Sequence, residues 1–259
     1  MKQFYAGAAL ALWLGLALSP VHAQASAATE QTASEASAWR LSLSPYFWMA
    51  GIQGTSAQFN MPSADMKSDF GQIFKELDFA FMGIMEARRG PYLVLGDIAY
   101  TKISVNNATP KGVLSESVRV KSESFSALLA GGYTFFQSER AHLDVFAGPR
   151  LWNVKTTLSF QGGLLGERSG RDSATWVDVV AGLRGNYFLT DKAYVMGWGA
   201  IGAGQADLDW DVAAGLGYQV QKNLSLTAAY RIQGVDYSKN GFVFDVIQRG
   251  PILGLSYRF

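Results

Sequence analysis

The sequence contains no cysteine, and charged residues make up only 17% of its 259 residues. The absence of cysteine excludes disulfides, thiol catalysis and cysteine-based metal sites. A formal net charge of +1 argues against a nucleic-acid partner, which normally requires a strong basic excess. Beyond the N-terminal region, no run approaches the roughly 20 apolar residues that a transmembrane helix needs. No spacing of residues indicates a metal or a cofactor.

The N-terminal region has the three parts of a secretory signal peptide. Lys2 supplies the positive charge, residues 6–18 form an apolar core, and Val21, His22 and Ala23 form a small-residue cleavage site. We therefore expect residues 1–23 to be removed on export. Residues 24–38 are small and polar and are predicted to be a disordered lead-in, which leaves residues 39–259 as the folded domain.

The remaining sequence alternates between apolar and polar residues, a period of two that indicates β-strands with one apolar face. The stretch "LDWDVAAGLGYQV", beginning at Leu208, is one example. The pattern predicts about ten strands, although eight or twelve are also compatible. Their predicted ranges are Trp39–Gly51, Leu77–Arg88, Tyr92–Ser104, Val118–Phe135, His142–Leu158, Thr175–Phe188, Ala193–Gly202, Leu208–Val220, Leu224–Tyr237 and Phe242–Phe259.

The connections between these strands predict an all-β, transmembrane, antiparallel up-and-down β-barrel. Short turns such as "RGP" and "LTDKA" alternate with longer polar segments, as periplasmic turns and external loops do in outer-membrane barrels. Aromatic residues gather at the strand ends beside the short turns, which is typical of a membrane–water interface. The alternative is a soluble β-sandwich or lipocalin-like barrel, which the many long strands, the one-sided aromatic residues and the signal peptide disfavour.

In such a barrel the charged residues of the strands face the lumen, where near-balanced acids and bases are expected to pair. The candidates for this lumen charge network are Glu86, Arg88, Asp97, Asp144, Arg150, Asp178, Arg184, Asp209, Asp211, Arg231, Asp245 and Arg249. In the last strand, Asp245 and Arg249 share the parity of Leu253 and Leu255. We therefore expect a β-bulge near Gly250 and Pro251 that switches the two faces.

Three patterns could carry chemistry, and in each the structural interpretation is favoured. His142 is the single histidine beyond the signal peptide, and it lies near a short turn rather than at the outer rim, so a Ser/His pair is disfavoured. The glycines of "GWGAIG" (197–202) lie inside a strand, whereas a dinucleotide fingerprint opens a helix. Asp209 and Asp211 share one face, and we expect them to pair with Arg184 or Arg231 rather than to act as acid and base.

The first long connection contains a helical pattern. Phe70, Ile73, Phe74 and Leu77 follow helical spacing and predict a short amphipathic helix over residues 69–76, capped by Ser68 or Asp69. It would form either a lip on the barrel rim or a plug in the lumen. A second feature of this end is a group of basic residues that could meet lipopolysaccharide phosphates or simply be solvated: Lys102, Lys111, Arg119, Lys121, Lys155, Arg168 and Arg171.

Four stretches carry a family resemblance: "SPYFWMAGIQGT", "LDFAFMGIMEARRGPYLVLGDIAY", "WVDVVAGLRGNYFLTD" and "AAGLGYQVQKNLSLTAAYRI" with the final "GPILGLSYRF". They resemble a family of outer-membrane β-barrel proteins of Gram-negative bacteria, in the broad OmpA-like and OmpW-like class of small barrels. The resemblance implies the outer membrane, contact with membrane lipid and lipopolysaccharide, and insertion by the outer-membrane assembly machinery. Ala200 stands where the family pattern has an acidic residue.

These observations lead to three hypotheses for function, and none involves a cofactor. The first is a non-enzymatic, porin-like barrel that acts as a narrow pore or passive transporter for small solutes. The second is a structural or surface-interaction barrel, adhesin-like, with a closed lumen. An envelope hydrolase is the least favoured because of the histidine count.

The final residues "GLSYRF" predict the closing strand of the barrel, since pairing with the first strand would remove the sheet edge that a bilayer does not tolerate. Tyr257 and Phe259 also resemble the C-terminal signal that the assembly machinery recognises. Deleting Phe259 is therefore expected to reduce insertion, measured as the yield of folded protein in outer-membrane fractions. A normal yield of the truncated chain would refute this role.

Overall fold

The structure is a computed structural model that describes residues 38–108, 117–163 and 166–259, with no side-chain description at 107 and 108. The predicted signal peptide, nearly all of the predicted lead-in and Lys111 lie outside the described residues. The described chain forms twelve strands: β1 (Arg40–Trp48), β2 (Gly51–Ala57), β3 (Ala64–Ser68), β4 (Leu77–Arg89), β5 (Tyr92–Ala108), β6 (Ser117–Gln137), β7 (Ala141–Gln161), β8 (Arg168–Phe188), β9 (Ala193–Gly204), β10 (Leu208–Gln221), β11 (Leu224–Lys239) and β12 (Phe242–Arg258). A short helix, α1 (Phe70–Lys75), lies between β3 and β4.

The strands close into an antiparallel barrel. Consecutive strands from β4 to β12 pair with one another, and β1 pairs with β4 on one side and with β12 on the other. This confirms the predicted fold, a closed antiparallel barrel of about ten strands. Ten strands form the ring, and β2 and β3 are additional to it. Closure leaves no unpaired strand edge in the ring, which satisfies the backbone hydrogen bonds without water.

The two additional strands belong to the first long connection. β2 continues β1 along β12 in the same register, after an interruption at Met49 and Ala50 where the N–H of Met49 still donates to the carbonyl of Pro251 at 2.8 Å. β3 then folds back on β2. The sequence prediction treated this segment as a loop and a helix, and β3 was not predicted.

Helix α1 begins as the sequence predicts. The side chain of Asp69 accepts a hydrogen bond from the N–H of Gln72 at 2.9 Å, and the Gln72 side chain accepts one from the N–H of Asp69, which together form a capping box. The rings of Phe70 and Phe74 pack against Phe47, at centroid distances of 6.0 and 6.5 Å. Because Phe47 points away from the lumen, the side of α1 that carries Phe70 and Phe74 packs against the outer side of the wall. Within the described residues, no helix is both long and apolar enough to cross a membrane.

The two ends of the barrel differ in their connections. At one end, the short-turn end, tight connections join β4 to β5, β6 to β7, β8 to β9 and β10 to β11. The opposite end holds the first long connection, between β1 and β4, and we name it the long-loop end. One connection at this end is short: β11 and β12 are joined by Asn240 and Gly241, whose φ angles are both positive, at 54° and 81°. Two such residues form the turn whose twist matches a β-hairpin.

The polarity of the two wall faces inverts along the long strands. Near the short-turn end, exposed apolar side chains point outward and form an apolar belt, which includes Leu129, Val145, Val179, Leu183, Leu216 and Leu253. In the part of β5–β8 beyond Tyr100, Phe125, Leu151 and Val177, here named the extension, the outward residues become polar, and buried inward positions on β7 and β8 carry large apolar side chains such as Trp152 and Trp176. β6–β8 have 21 residues each, about twice the 9–11 that a membrane strand needs, so the extension projects from the belt.

The predicted bulge in the last strand is absent. β12 pairs with β11 in one uninterrupted register from Phe242 to Tyr257. Asp245 and Arg249 therefore point outward on the same face as Leu253, and their predicted place in the lumen was wrong. Both lie toward the long-loop end, past Leu253, and Arg249 donates a hydrogen bond to Gln53 at 3.0 Å. Alternate residues of β12 therefore face outward along the whole strand, and it is the surroundings of this outer face that change along its length.

Candidate functional site in the lumen

A buried arginine on β11 lies at the centre of the lumen. The Arg231 guanidinium is 2% exposed and contacts the carboxylates of Asp211 and Asp97, with Nη2–Oδ2 distances of 2.6 and 2.9 Å. It also donates to the hydroxyl of Tyr46, which in turn donates to Asp97, at 2.9 and 2.8 Å. The guanidinium lies 5.0 Å from the ring centroid of Trp48, a distance suited to a cation–π contact. These contacts tie β1, β5, β10 and β11 together across the lumen.

A second buried arginine extends this group toward β7. Arg150 pairs with Asp209 and, at 3.2 Å, with Asp211. The two indole N–H groups of Trp152 and Trp198 donate to Asp209 and Asp211, at 2.8 and 3.1 Å. We name Asp97, Arg150, Asp209, Asp211 and Arg231 the central layer. Its charges are nearly all hidden from solvent, and each of them is paired, as buried charges require.

A separate ion-pair group, the lower layer, lies nearer the short-turn end. Arg88 contacts Glu86 on its own strand and Asp144 on β7. Arg184 pairs with the other oxygen of Glu86 at 2.8 Å, and Thr134 donates to Asp144 at 2.7 Å. Glu86 and Arg88 are two residues apart and therefore share one face of β4, which brings both into the lumen.

On the long-loop side of the central layer, apolar side chains from β7, β8, β11, β12 and the turn between β9 and β10 fill the lumen. The ring of Trp176 is fully buried and stacks on Tyr237 at 4.2 Å and on Trp152 at 5.9 Å. We name the cluster the outer core. Its buried members are Trp152, Val154, Trp176, Ala206, Val235, Tyr237, Phe242, Phe244 and Val246.

A cavity of about 380 Å³ occupies the lumen on the other side of the central layer. It is lined at the short-turn end by Arg40 and Arg258 and reaches as far as Asp97, Arg150 and Asp211. None of the outer-core residues lines it. The cavity therefore ends at the central layer, and the apolar cluster lies beyond it.

Nine of the predicted lumen residues meet in the two layers, and Asp178 does not. Its Oδ1 accepts a hydrogen bond from the N–H of Ala206 at 2.8 Å, so it anchors the turn between β9 and β10. Its Oδ2 has no partner among the described residues. Asp209 and Asp211, for which Arg184 or Arg231 was predicted as partner, pair with Arg150 and Arg231.

The other sequence patterns lie apart from any catalytic arrangement in the described chain. The Nε2 atom of His142 lies 3.7 Å from Asp144, whose carboxylate is already held by Arg88 and Thr134 in the lower layer. "GWGAIG" lies wholly within β9, and its Ala200 is buried in apolar surroundings. Among the described residues, no group of three potential ligands is placed to hold a metal.

The uncharged partners of the two layers were not predicted from the sequence. Tyr46, Trp48, Trp152, Trp198 and Thr134 all hydrogen-bond or stack with lumen charges. Each has the inward parity of its strand, and this parity was the available signal.

The final strand places the predicted assembly signal on the outer face. The rings of Tyr257 and Phe259 are in edge contact at 4.9 Å, and the N–H of Phe259 donates to the carbonyl of Leu41 at 2.9 Å. Phe259 is 71% exposed at the short-turn end. Its recognition by the assembly machinery stays a prediction.

The chain is similar to solved structures of outer-membrane proteins. The outer membrane protease OmpT from Escherichia coli matches with a TM-score of 0.54 and 12% identity, over 86% of this chain and 97% of that chain. The fold is that of an outer-membrane β-barrel. The translocator domain of the autotransporter NalP from Neisseria meningitidis matches at a TM-score of 0.45 and 14% identity, over 92% and 96% of the two chains. No family model and no curated protein sequence matches.

Proposed function

We propose that this protein is a non-enzymatic, non-conducting β-barrel of the bacterial outer membrane that acts through the surface it presents outside the cell. The observation that carries the proposal is the central layer, in which Arg150 and Arg231 are held by three aspartates across the lumen. Solute passage would require these pairs to separate, and breaking a buried ion pair is expensive.

The outer core adds a second barrier in series with the central layer. Trp152 and Trp176 are buried and stacked, and their neighbours come from β7, β8, β11 and β12. A passage through this region would replace close-packed side chains with water, at the cost of the buried apolar area. The two barriers together support a closed lumen better than a pore.

A narrow pore is the second candidate, and the lumen cavity is the observation that favours it. About 380 Å³ of space between Arg40 at the mouth and Asp211 at the central layer would hold water or a small solute. Conduction would then require the central layer and the outer core to rearrange. The closed barrel requires no rearrangement, which is why we prefer it.

A hydrolytic activity receives no support from the geometry. His142 lies at the short-turn end, and the carboxylate nearest to its Nε2 atom, that of Asp144, belongs to the lower layer. A nucleophile and its base must lie within hydrogen-bond reach. The fold similarity to OmpT shows a shared barrel and transfers no activity.

Conductance of the purified protein in planar lipid bilayers tests the closed lumen. We expect no stepwise current over a wide range of voltages and salt concentrations, because the central layer and the outer core both close the lumen. A general porin inserted in the same bilayers is the control for detection. Reproducible steps from this protein would contradict the proposal and favour the pore.

A further inference from the structure

We propose that the outward face of the extension is a binding site for the phosphate groups of lipid A, the phosphorylated glycolipid anchor of lipopolysaccharide in the outer leaflet. The site consists of Lys102 on β5, Arg119 and Lys121 on β6, Lys155 on β7 and Arg171 on β8, and we name it the basic face. The proposal requires that the long-loop end of the barrel faces the outside of the cell, and it does not depend on whether the lumen conducts.

The register of the strands brings these side chains together. Lys102 lies opposite Glu123, and Glu123 lies opposite Lys155, so the three residues form one row across three strands. Two residues further along the strands, Thr157 on β7 pairs with Lys121 on β6 and with Arg171 on β8, and these three residues form a second row. Neighbouring strands are about 4.8 Å apart and alternate residues about 7 Å apart. The rows therefore form a compact patch that one headgroup can cover.

The basic face has a large excess of positive charge. Glu123 is the single carboxylate within the two rows, and it pairs with Lys155 and, at 3.3 Å, with Lys121. A second carboxylate, that of Asp78, adjoins the second row and accepts a hydrogen bond at 2.6 Å from Ser104, which lies opposite Lys121. The hydrogen bond from Lys155 holds the pKa of the Glu123 carboxyl below its usual value. Within the described part of the chain, Lys102 and Arg171 have no carboxylate partner. These two cations, and the unused donors of Lys121 and Lys155, are available to an anion.

The position of the basic face relative to the apolar belt indicates a lipid rather than a soluble anion. Directly below it, the outward residues are Tyr100 on β5 and Phe125 on β6, followed in the same row by the polar pair Asn153 and Thr175 on β7 and β8. One step further down, Leu151 and Val177 continue the apolar surface on β7 and β8. Acyl chains would contact these apolar side chains while the phosphates contact the cations above them. A lipid phosphate lies at this boundary between hydrocarbon and water.

The opposite side of the barrel has the reverse charge, which confines the site to β5–β8. Asp236 on β11 lies directly opposite Asp245 on β12, and both point outward. On β2 and β3, Thr55 and Asp65 continue this row. A phosphate would be repelled there, so Asp236 and Asp245 provide a matched control.

The test compares lipid A with lipid A whose phosphates have been removed, both titrated in detergent containing a chelator of divalent cations. The variant K102Q/K121Q/K155Q/R171Q is compared with wild type and with the control variant D236N/D245N, with binding followed by native mass spectrometry. A Lys or Arg near an anionic lipid surface contributes about 1 kcal/mol to the binding free energy, about a fivefold change in affinity. Removing four of these cations is therefore expected to weaken the binding of lipid A at least tenfold. We expect wild type and the control variant to prefer the phosphorylated lipid and the quadruple variant to lose this preference.

Three outcomes would overturn the proposal. The first is equal binding of both lipids by wild type, and the second is unchanged binding by the quadruple variant. The third is full competition by inorganic pyrophosphate, which would indicate a site for soluble phosphate. All the substituted side chains point outward, and gel mobility without heating checks that each variant is folded. Current steps in planar bilayers would overturn the closed lumen without affecting this result.

Discussion

Replacing Arg231 with methionine is expected to destabilise the folded barrel by about 3–5 kcal/mol, the usual effect of removing one partner of a buried ion pair. Methionine preserves much of the side-chain volume, but Asp97 loses its cation and Asp211 retains only Arg150. The measurement is reversible urea unfolding in lipid vesicles. The matched control is R249M, an outward arginine that is expected to change stability by less than about 0.5 kcal/mol.

A combined variant separates charge from packing in this experiment. R231M/D97N/D211N lacks both the cation and the two carboxylates that it neutralises. We expect it to be more stable than R231M alone, because neutral amides are less costly to bury than unpaired carboxylates. If R231M unfolds at the same urea concentration as wild type, the central layer does not stabilise the barrel.

Replacing Trp176 with alanine is expected to destabilise the barrel by about 3–5 kcal/mol, as for other large-to-small substitutions in a core. Trp176 is fully buried and stacks on both Trp152 and Tyr237. Since the substitution changes tryptophan fluorescence, unfolding is followed by the loss of the folded band in gel electrophoresis. The control V177A changes the next residue along β8, which is 43% exposed on the outer face.

The same variant also tests how the lumen is closed. The cavity created by W176A lies on the long-loop side of the central layer, whose ion pairs remain. We therefore expect W176A, like wild type, to produce no current steps in planar bilayers. Steps would show that the outer core alone closes the lumen.

Strand alternation predicted the wall of the barrel because the period of two depends only on backbone geometry. It also predicted the inward direction of Glu86, Asp144, Arg150 and Arg231, which all keep the parity of their strands. The predicted N-cap of α1 is a local signal of the same kind. All of these features depend on residues within one strand or one helical turn.

The polarity inversion could not be predicted because the alternation itself continues unchanged through it. If lipid surrounded the wall along its whole length, the charges of Asp245 and Arg249 would require a bulge that turns them into the lumen. Beyond the apolar belt the outside is water, and outward charges need no such explanation. Similarly, the pairing of Arg150 with Asp209 depends on the register of strands far apart in the ring, which no local pattern records.

The seam of the barrel has a consequence for how the chain folds. β12 pairs on one side with β11 and on the other with β1 and then β2, which are separated from it by nearly the whole domain. The ring closes only through contacts of the largest sequence separation, and such contacts form slowly. Until β12 is present, β1, β2 and β11 lack a complete set of neighbours. β12 therefore serves as the template on which β1 and β2 are aligned.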